Sequence, residues 1–295
     1  MEQTIEILPV QLLDQQRPLV NRLKALATSL QLEFGWHYLL DLTWIISRLG
    51  PLTGKHILDA GAGTGLIQWY LADQGALVLS VDRLSRANLP LRFRTRFHVH
   101  GLRQEDLASS PKAVAHNLSR PGNLASRVAS QAQDLLSSVN PPPVAGRVLI
   151  YNQDLKRLVD LGDNSQDAVV AVSALEHNPP EELPEVVREL MRVLKPGGML
   201  LATLGAAPDK DWYHEPSSGW CYTEATLRRL FGLPPDTPSN HSQYDVLMEA
   251  LRNCTELRDN LAEFYFQSAN NGMPWGKWDP KYLPVGVCKI KGDKG

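Results

Sequence analysis

Three glycines two positions apart, Gly61-Ala62-Gly63-Thr64-Gly65, follow a short apolar run. A turn of this kind lets backbone N–H groups reach a ligand, because no Cβ stands in the way. Asp82 closes the next apolar run, 21 residues past Gly61, where a strand-end carboxylate can accept hydrogen bonds from both hydroxyls of a ribose. Its plainer reading is a turn aspartate. Asp154, after a third apolar run, can accept from an exocyclic adenine amino group or cap the next helix. A dinucleotide turn of the form Gly-x-Gly-x-x-Gly would need its third glycine at position 66, which is Leu66, so the spacing disfavours a nicotinamide cofactor. His177 follows a fourth run, and its imidazole suits either a general base or a hydrogen bond that fixes its loop.

The elements that must position these residues follow from the period of the apolar positions. Residues 10–49 read as two helical stretches, with Leu12, Leu13, Leu19, Leu23, Leu26 and Leu30 at mixed three- and four-residue spacing, and Gly50-Pro51 ends the second. The period then changes: 56–60 reads as a strand, 66–74 as a helix closed by Gly75, and 76–81 as a second strand, together a βαβ unit. Residues 102–146, rich in Ala, Ser and Asn, read as a mostly helical insertion after that second strand. Strands at 147–151 and 168–173, a helix at 180–194, the turn Lys195-Pro196-Gly197-Gly198 and a strand at 199–204 resume the alternation. Such alternation implies a doubly wound α/β fold, a parallel sheet with helices on both faces. Beyond it the chain loosens over 212–220, forms a helix at 223–231, breaks at Pro234-Pro235, and carries one long helix at 243–266. Leu247, Leu251, Cys254, Leu257, Leu261 and Phe264 form the apolar stripe of that helix, and 283–290 returns as a last strand. The expected organisation is an N-terminal helical cap (1–52), a core (53–204, insertion 102–146) and a C-terminal elaboration (205–295) that completes the sheet and the substrate pocket.

With the elements in place, His56-Ile57-Leu58-Asp59-Ala60-Gly61-Ala62-Gly63-Thr64-Gly65 resembles the first motif of class I S-adenosylmethionine-dependent methyltransferases, a Rossmann-like family. The run from Asp163 through Asp167 to His177 resembles their fourth-strand segment, and Arg192-Val193-Leu194-Lys195-Pro196-Gly197-Gly198 their turn before the fifth strand. The resemblance covers about residues 53–204, and Gln166 stands where the family usually has an aromatic. It implies that Asp59 and the backbone of Gly61, Gly63 and Gly65 hold the methionine portion of S-adenosyl-L-methionine, that Asp82 holds the ribose with Arg83 beside it, and that Asp154 and the Leu155 N–H hold the adenine. Ser173 and Ala174 would lie beside the sulfonium, with His177 as the candidate catalytic base.

Composition narrows the partners. Thirty basic residues against 32 acidic ones leave no global charge to favour a nucleic acid or an anionic membrane. Cys221, Cys254 and Cys288 are odd in number and far apart, which gives neither a disulfide framework nor a metal-ligand pattern. The expected protein is cytoplasmic, without a leader or a transmembrane segment, and the sequence sets no oligomeric state. Asn178-Pro179-Pro180 reads as a helix-start signal rather than as the motif of base-methylating enzymes. The alternation Arg92-Phe93-Arg94-Thr95-Arg96-Phe97-His98-Val99-His100 predicts an extended ribbon with one cationic face, either a protected sheet edge or a seat for an anionic acceptor. Trp36, His37, Tyr38 and Trp44 before the core, Trp212, Tyr213, His214, Trp220 and Tyr222 after it, and the loop Trp275-Gly276-Lys277-Trp278 read as packing or as walls of a pocket. The expected function is methyl transfer to a small or carrier-linked metabolite, oxygen slightly favoured over nitrogen. A cofactor-binding regulatory pseudo-enzyme is the alternative, and a nicotinamide-dependent oxidoreductase a weaker one.

Overall fold

The computed structural model describes residues 2–32, 35–119, 121, 123–139, 142–264 and 277–292. Contacts group the chain into two units, residues 1–50 with 159–295 and residues 51–158. The first unit opens with β1 (Thr4–Ile7), α1 (Leu12–Gln15), α2 (Arg17–Leu30) and α3 (Tyr38–Arg48). The second holds β2 (His56–Ala60), α4 (Leu66–Asp73), β3 (Leu77–Asp82), α5 (Leu91–Arg96), β4 (His100–Gly101), α6 (Ser110–Ser119), α7 (Leu124–Val139) and β5 (Arg147–Asn152). The first then resumes with β6 (Gln166–Val172), α8 (Leu183–Val193), β7 (Leu194–Ala206), β8 (Trp212–His214), β9 (Gly219–Tyr222), α9 (Glu224–Phe231), α10 (Tyr244–Arg252), α11 (Thr255–Phe264) and β10 (Leu283–Ile290). The fold is the mixed α/β class that the alternation implies. No helix among the described residues is long and apolar enough to cross a membrane.

In the second unit β2, β3, β5 and β4 pair in parallel in that order, with Leu58 opposite Leu79 and Leu79 opposite Leu149. Ile57, Leu58, Val78, Leu79, Val81, Val148 and Ile150 are all buried, the near-continuous apolar content of strands covered on both faces. Trp69 on α4 stacks on Phe93, ring centroids 4.8 Å apart, and meets Phe97 at 4.9 Å.

That aromatic cluster corrects the expected ribbon. Residues 91–96 form the helix α5, so that Phe93 and Phe97, four apart, face the same side. Two features select helix over strand. Pro90 sets the entry to the first turn, and the buried Asp134 of α7 accepts the N–H groups of Leu91 (2.7 Å) and Arg92 (3.1 Å), placing a carboxylate where a helix start carries positive charge. The arginines therefore share no cationic face. Arg92 bonds Asp134, while Arg94 is buried and donates to the carbonyls of Leu89, Ala108 and Ala87 at 2.7, 2.5 and 2.6 Å. The anionic-acceptor reading loses its support at this segment.

The first unit is built on β1, β10, β7 and β6, paired in that order. β10 lies antiparallel to both neighbours, β6 runs parallel to β7, and the hairpin β8–β9 adds to β7 through Gly205 and Ala206. The strand β1, only four residues long and alternating in burial, is one that the apolar periodicity does not predict. The hairpin likewise replaces the expected loose segment at 212–220. Gly286 of β10 leaves room for an indole: a Cβ there would sit 2.5 Å from the ring of Trp44, whose Nε1 donates to Glu6 at 2.9 Å. Thr223 caps α9 by accepting from the Thr226 N–H, and Gly232 ends it in the left-handed region at φ 57°. The long C-terminal helix is two helices, interrupted at Asn253-Cys254, where residues of poor helix propensity let the chain turn. The side chains of Leu261 and Phe264, and residues 265–266, lie outside the described residues, as do Trp275, Gly276, Asn140 and Pro141.

The arginine geometry gives a direct expectation. Replacing Arg94 by Gln leaves carbonyls of a packed loop without their donor, which costs about 1–3 kcal/mol. Urea unfolding should show a lower midpoint with an unchanged m-value; wild-type stability in the variant would mean that water replaces the guanidinium freely.

Candidate functional site

Each unit carries a cluster of polar groups, and the one in the second unit surrounds the glycine turn. After β2 the chain must reverse within a few residues. Gly61 and Gly63 do so at φ 73° and 47°, a region that side chains rarely adopt. The N–H groups of Gly61 and Ala62 both donate to the Val81 carbonyl at 2.9 Å, which anchors the turn to the end of β3. Its carbonyls are held from behind. Gln68 Nε2 donates to the Gly65 carbonyl at 3.1 Å, and the same side chain accepts from Ser80 Oγ at 2.6 Å. Arg86, buried, donates to the Gly63 carbonyl at 3.2 Å, to Ser80 Oγ, and to the Ser80 carbonyl at 2.6 Å.

Two carboxylates complete this cluster. Asp82 accepts the Gly63 N–H at 2.8 Å on one oxygen and the Leu84 N–H at 2.8 Å on the other. Asp59 is 1% exposed and its Oδ2 has no hydrogen-bond partner. Burial pushes its carboxyl up to about 7, against the pull of Arg86, with Asp82 adding to the rise. A Cβ on Gly63 would meet nothing nearer than Asp82 Oδ2 at 4.0 Å, so the space beside the turn is open. Further along the strand ends, Asn152 accepts from the Arg86 N–H at 3.0 Å and donates its own N–H to Asp106 at 2.9 Å. Asp154 is exposed and accepts the Lys156 N–H at 2.8 Å; Leu155 is half-buried, and Arg83 is exposed.

The cluster in the first unit gathers at the end of β6. Ser173 sits in the left-handed region at φ 44°, an uncommon conformation for a residue with a side chain. Its N–H donates to Thr203 Oγ1 at 3.1 Å and its Oγ to Glu176 Oε1 at 2.5 Å. Glu176 is 5% exposed, and its Oε2 has no partner. Burial raises this carboxyl above the ordinary carboxylate range, in spite of the attraction of His177 and His37. His177 is exposed and places Nδ1 2.9 Å from the Ser218 carbonyl, a bond that requires the hydrogen on Nδ1. Ala174, half-buried, leads into the single turn that holds both.

Ser173, Glu176 and His177 line a pocket open to solvent, together with Ser217, Trp220, Cys221, Tyr282, Gly205 and Gly219. A polar chain runs behind it. The buried Asp41 bonds His37 Nδ1 at 2.6 Å, and His37 Nε2 lies 3.3 Å from the hydroxyl of Tyr282. His214 Nδ1 meets Ser217 Oγ at 2.6 Å, and its ring stands edge-on to Tyr282 at 5.2 Å. Burial drives the Tyr282 phenol and the Cys221 thiol upward, with Glu176 adding to both, so each keeps its proton at neutral pH. Trp36 packs against His37, Tyr282 and Trp278.

The glycine turn and its two aspartates were visible as a motif; Arg86, Gln68, Glu176, Asp41 and Tyr282 were not read as site residues. Arg86 and Gln68 act on backbone carbonyls, a role without a spacing signature. Glu176 had one available signal, its place beside His177 at the end of a buried strand. The raised acid gives a sign for pH. Folded Asp59 keeps its proton up to about pH 7, whereas the unfolded residue loses it near pH ~4. The folded chain binds the extra proton between those limits, so this contribution to stability is full at the lower limit and is lost as pH rises through 7. Asp59→Asn should flatten the fall in urea midpoint between about pH 4.5 and 7.5; an identical slope in variant and wild type would remove Asp59 as its source.

Residues 123–202 match the family described as Methyltransferase domain. The ubiquinone biosynthesis O-methyltransferase of Sodalis glossinidius (strain morsitans) is 26% identical over 175 residues, 59% of this chain and 50% of that one, so the match spans half of the relative's length. Phosphoethanolamine N-methyltransferase 2 of Haemonchus contortus, solved with S-adenosylhomocysteine, superposes with a TM-score of 0.48 at 16% identity, covering 96% of this chain and 60% of that one. Magnesium protoporphyrin IX methyltransferase of Synechocystis PCC 6803 gives 0.36 at 18% identity, covering 76% and 72%. Over residues 123–202, which follow the glycine turn in sequence, the chain is thus similar to methyltransferase domains.

Proposed function

We propose that the protein transfers a methyl group from S-adenosylmethionine to a small or carrier-linked molecule bound in the pocket of Ser173, Glu176 and His177. The observation that carries this reading is the open glycine turn flanked by Asp59, whose buried oxygen lacks a donor, and by Asp82. A ligand bringing an ammonium group and a pair of ribose hydroxyls supplies the donors that such acceptors want. When bound, the cofactor contributes a methyl already activated on a sulfonium. The chain's own part is to hold and orient: Gly61 to Gly65 offer backbone without side chains, Asp59 and Asp82 accept, and Arg86 with Gln68 keeps the turn's carbonyls turned away. Asp154 and the Leu155 N–H remain the proposed adenine contacts.

On the acceptor side, methyl transfer from a sulfonium needs a positioned nucleophile and a place for its proton. His177 and Glu176 both line the pocket and can take one. Oxygen is the favoured acceptor atom, in keeping with a relative named as an O-methyltransferase.

Calorimetry tests the cofactor half and label transfer the acceptor half. S-adenosylmethionine should bind the wild type, and Asp82→Ala should weaken it about tenfold or more, the equivalent of a lost hydrogen-bond acceptor worth about 1–3 kcal/mol. Methyl-labelled cofactor incubated with catechol, 3,4-dihydroxybenzoate and ethanolamine should label a hydroxyl compound first. Absence of cofactor binding sinks the reading; tight binding with no transfer to a wide acceptor panel turns it into a regulatory module.

A further inference from the structure

Glu176 presents a chemical imbalance that the fold leaves in place. One carboxyl oxygen, Oε1, accepts the Ser173 hydroxyl at 2.5 Å, while Oε2 has no partner and the side chain is 5% exposed. A buried carboxyl oxygen without a donor is costly and is retained where something else supplies the hydrogen. Three polar side chains nearby are already committed, while the buried Tyr222 hydroxyl, which senses the Glu176 charge, is itself unpaired. His177 directs Nδ1 to the Ser218 carbonyl, His37 lies between Asp41 and Tyr282, and Ser173 is spent on Oε1. The wall beside Glu176 is also cut back: a Cβ on Gly219 would stand 3.0 Å from Glu176 Cγ, and one on Gly205 2.8 Å from Cys221 Sγ. Both glycines line the same pocket as Glu176.

We propose that the unpaired Oε2 of Glu176, rather than His177, receives the hydrogen of the methyl acceptor, so that this pocket takes a small molecule whose reacting oxygen or nitrogen still carries one. The assignment rests on the methyl-transfer reading above. In the step it implies, a lone pair of the acceptor atom forms the bond to the methyl carbon while the carbon–sulfur bond breaks and its electron pair stays on sulfur. The acceptor's hydrogen passes as a proton to Oε2, which leaves a neutral carboxyl and a methylated product. The raised affinity of this buried carboxyl for a proton suits it to that role. The Ser173 hydroxyl holds Oε1 and so turns Oε2 to the acceptor, which makes Ser173 a positioning residue.

Phenol and anisole test the assignment, because anisole is the same ring with a methyl in place of the reacting hydrogen. The full chain labelled with carboxyl-¹³C glutamate is titrated with each, above the pH midpoint of the Glu176 resonance, which is identified by its loss in Glu176→Gln. Phenol should shift that resonance and bind at least tenfold more tightly than anisole. Glu176→Met should erase the difference. Where that variant fails to fold, Glu176→Gln serves: with its amide oxygen held by Ser173, its NH₂ cannot accept, and the preference for phenol should fall. Equal binding of the two probes, no binding of either, or a preference for phenol that survives both substitutions overturns the assignment. S-adenosylmethionine calorimetry on the same samples separates the two readings. A phenol preference without cofactor binding keeps the Glu176 assignment and removes methyl transfer; cofactor binding without a phenol preference does the reverse.

Discussion

Arg86 is the interaction on which the second unit's cluster depends. A glycine turn has as many carbonyls as N–H groups, and without side chains to hold them those carbonyls need donors from elsewhere. The guanidinium takes the Gly63 carbonyl and both oxygens of Ser80, and Gln68 takes the Gly65 carbonyl. Burying a guanidinium carries a desolvation penalty. Its compensation is local, since Asp82, Asp59 and Asp106 surround it and raise its proton affinity against the lowering effect of burial. Arg86 in turn pulls the Asp59 carboxyl down against burial, so the turn, the arginine and the aspartate form one electrostatic group.

Asp59 and Glu176 express one principle in separate units. Each is an acid almost removed from water, with one oxygen unpaired and its carboxyl shifted upward. Such groups weaken the folded state near neutral pH. By contrast Asp134 and Asp106 are buried with every advantage of pairing: the first accepts three donors at the start of α5, the second binds Arg103 and Asn152. The buried carboxylates therefore differ in pairing, Asp134 and Asp106 being bonded on both oxygens or by several donors while Asp59, Glu176 and Asp41 each leave one oxygen unpaired.

How much of this was legible follows from the range of each interaction. The βαβ unit around Gly61, the strands that pair as β5, β6 and β7, and the last strand at Leu283–Ile290 are written in apolar periodicity and turn residues a few positions apart. The helix α5 was not, because what makes it a helix is Asp134, 43 positions from Leu91. An alternating pattern of nine residues fits either period until a distant group decides. For the same reason the chain from Asp41 through His37 to Tyr282, with 245 positions between the last two, has no local trace, and β1 becomes a strand only through its pairing with β10. Glu176 stood next to a residue singled out as chemical, yet its distinguishing property is an unmet hydrogen bond, and spacing does not encode that.

The indole of Trp44 fitted over Gly286 has a consequence for the order in which the chain can acquire its structure during synthesis. Trp44 and β1 are made long before their counterparts on β10, with the whole of residues 51–158 between them. Residues 51–158 are contiguous and can gather their own sheet as they emerge, but residues 1–50 must wait for β10 with an unpaired strand and an uncovered tryptophan. A nascent chain of this design is most exposed to misassembly at the segment that carries β1, and its first unit closes only once β10 has emerged.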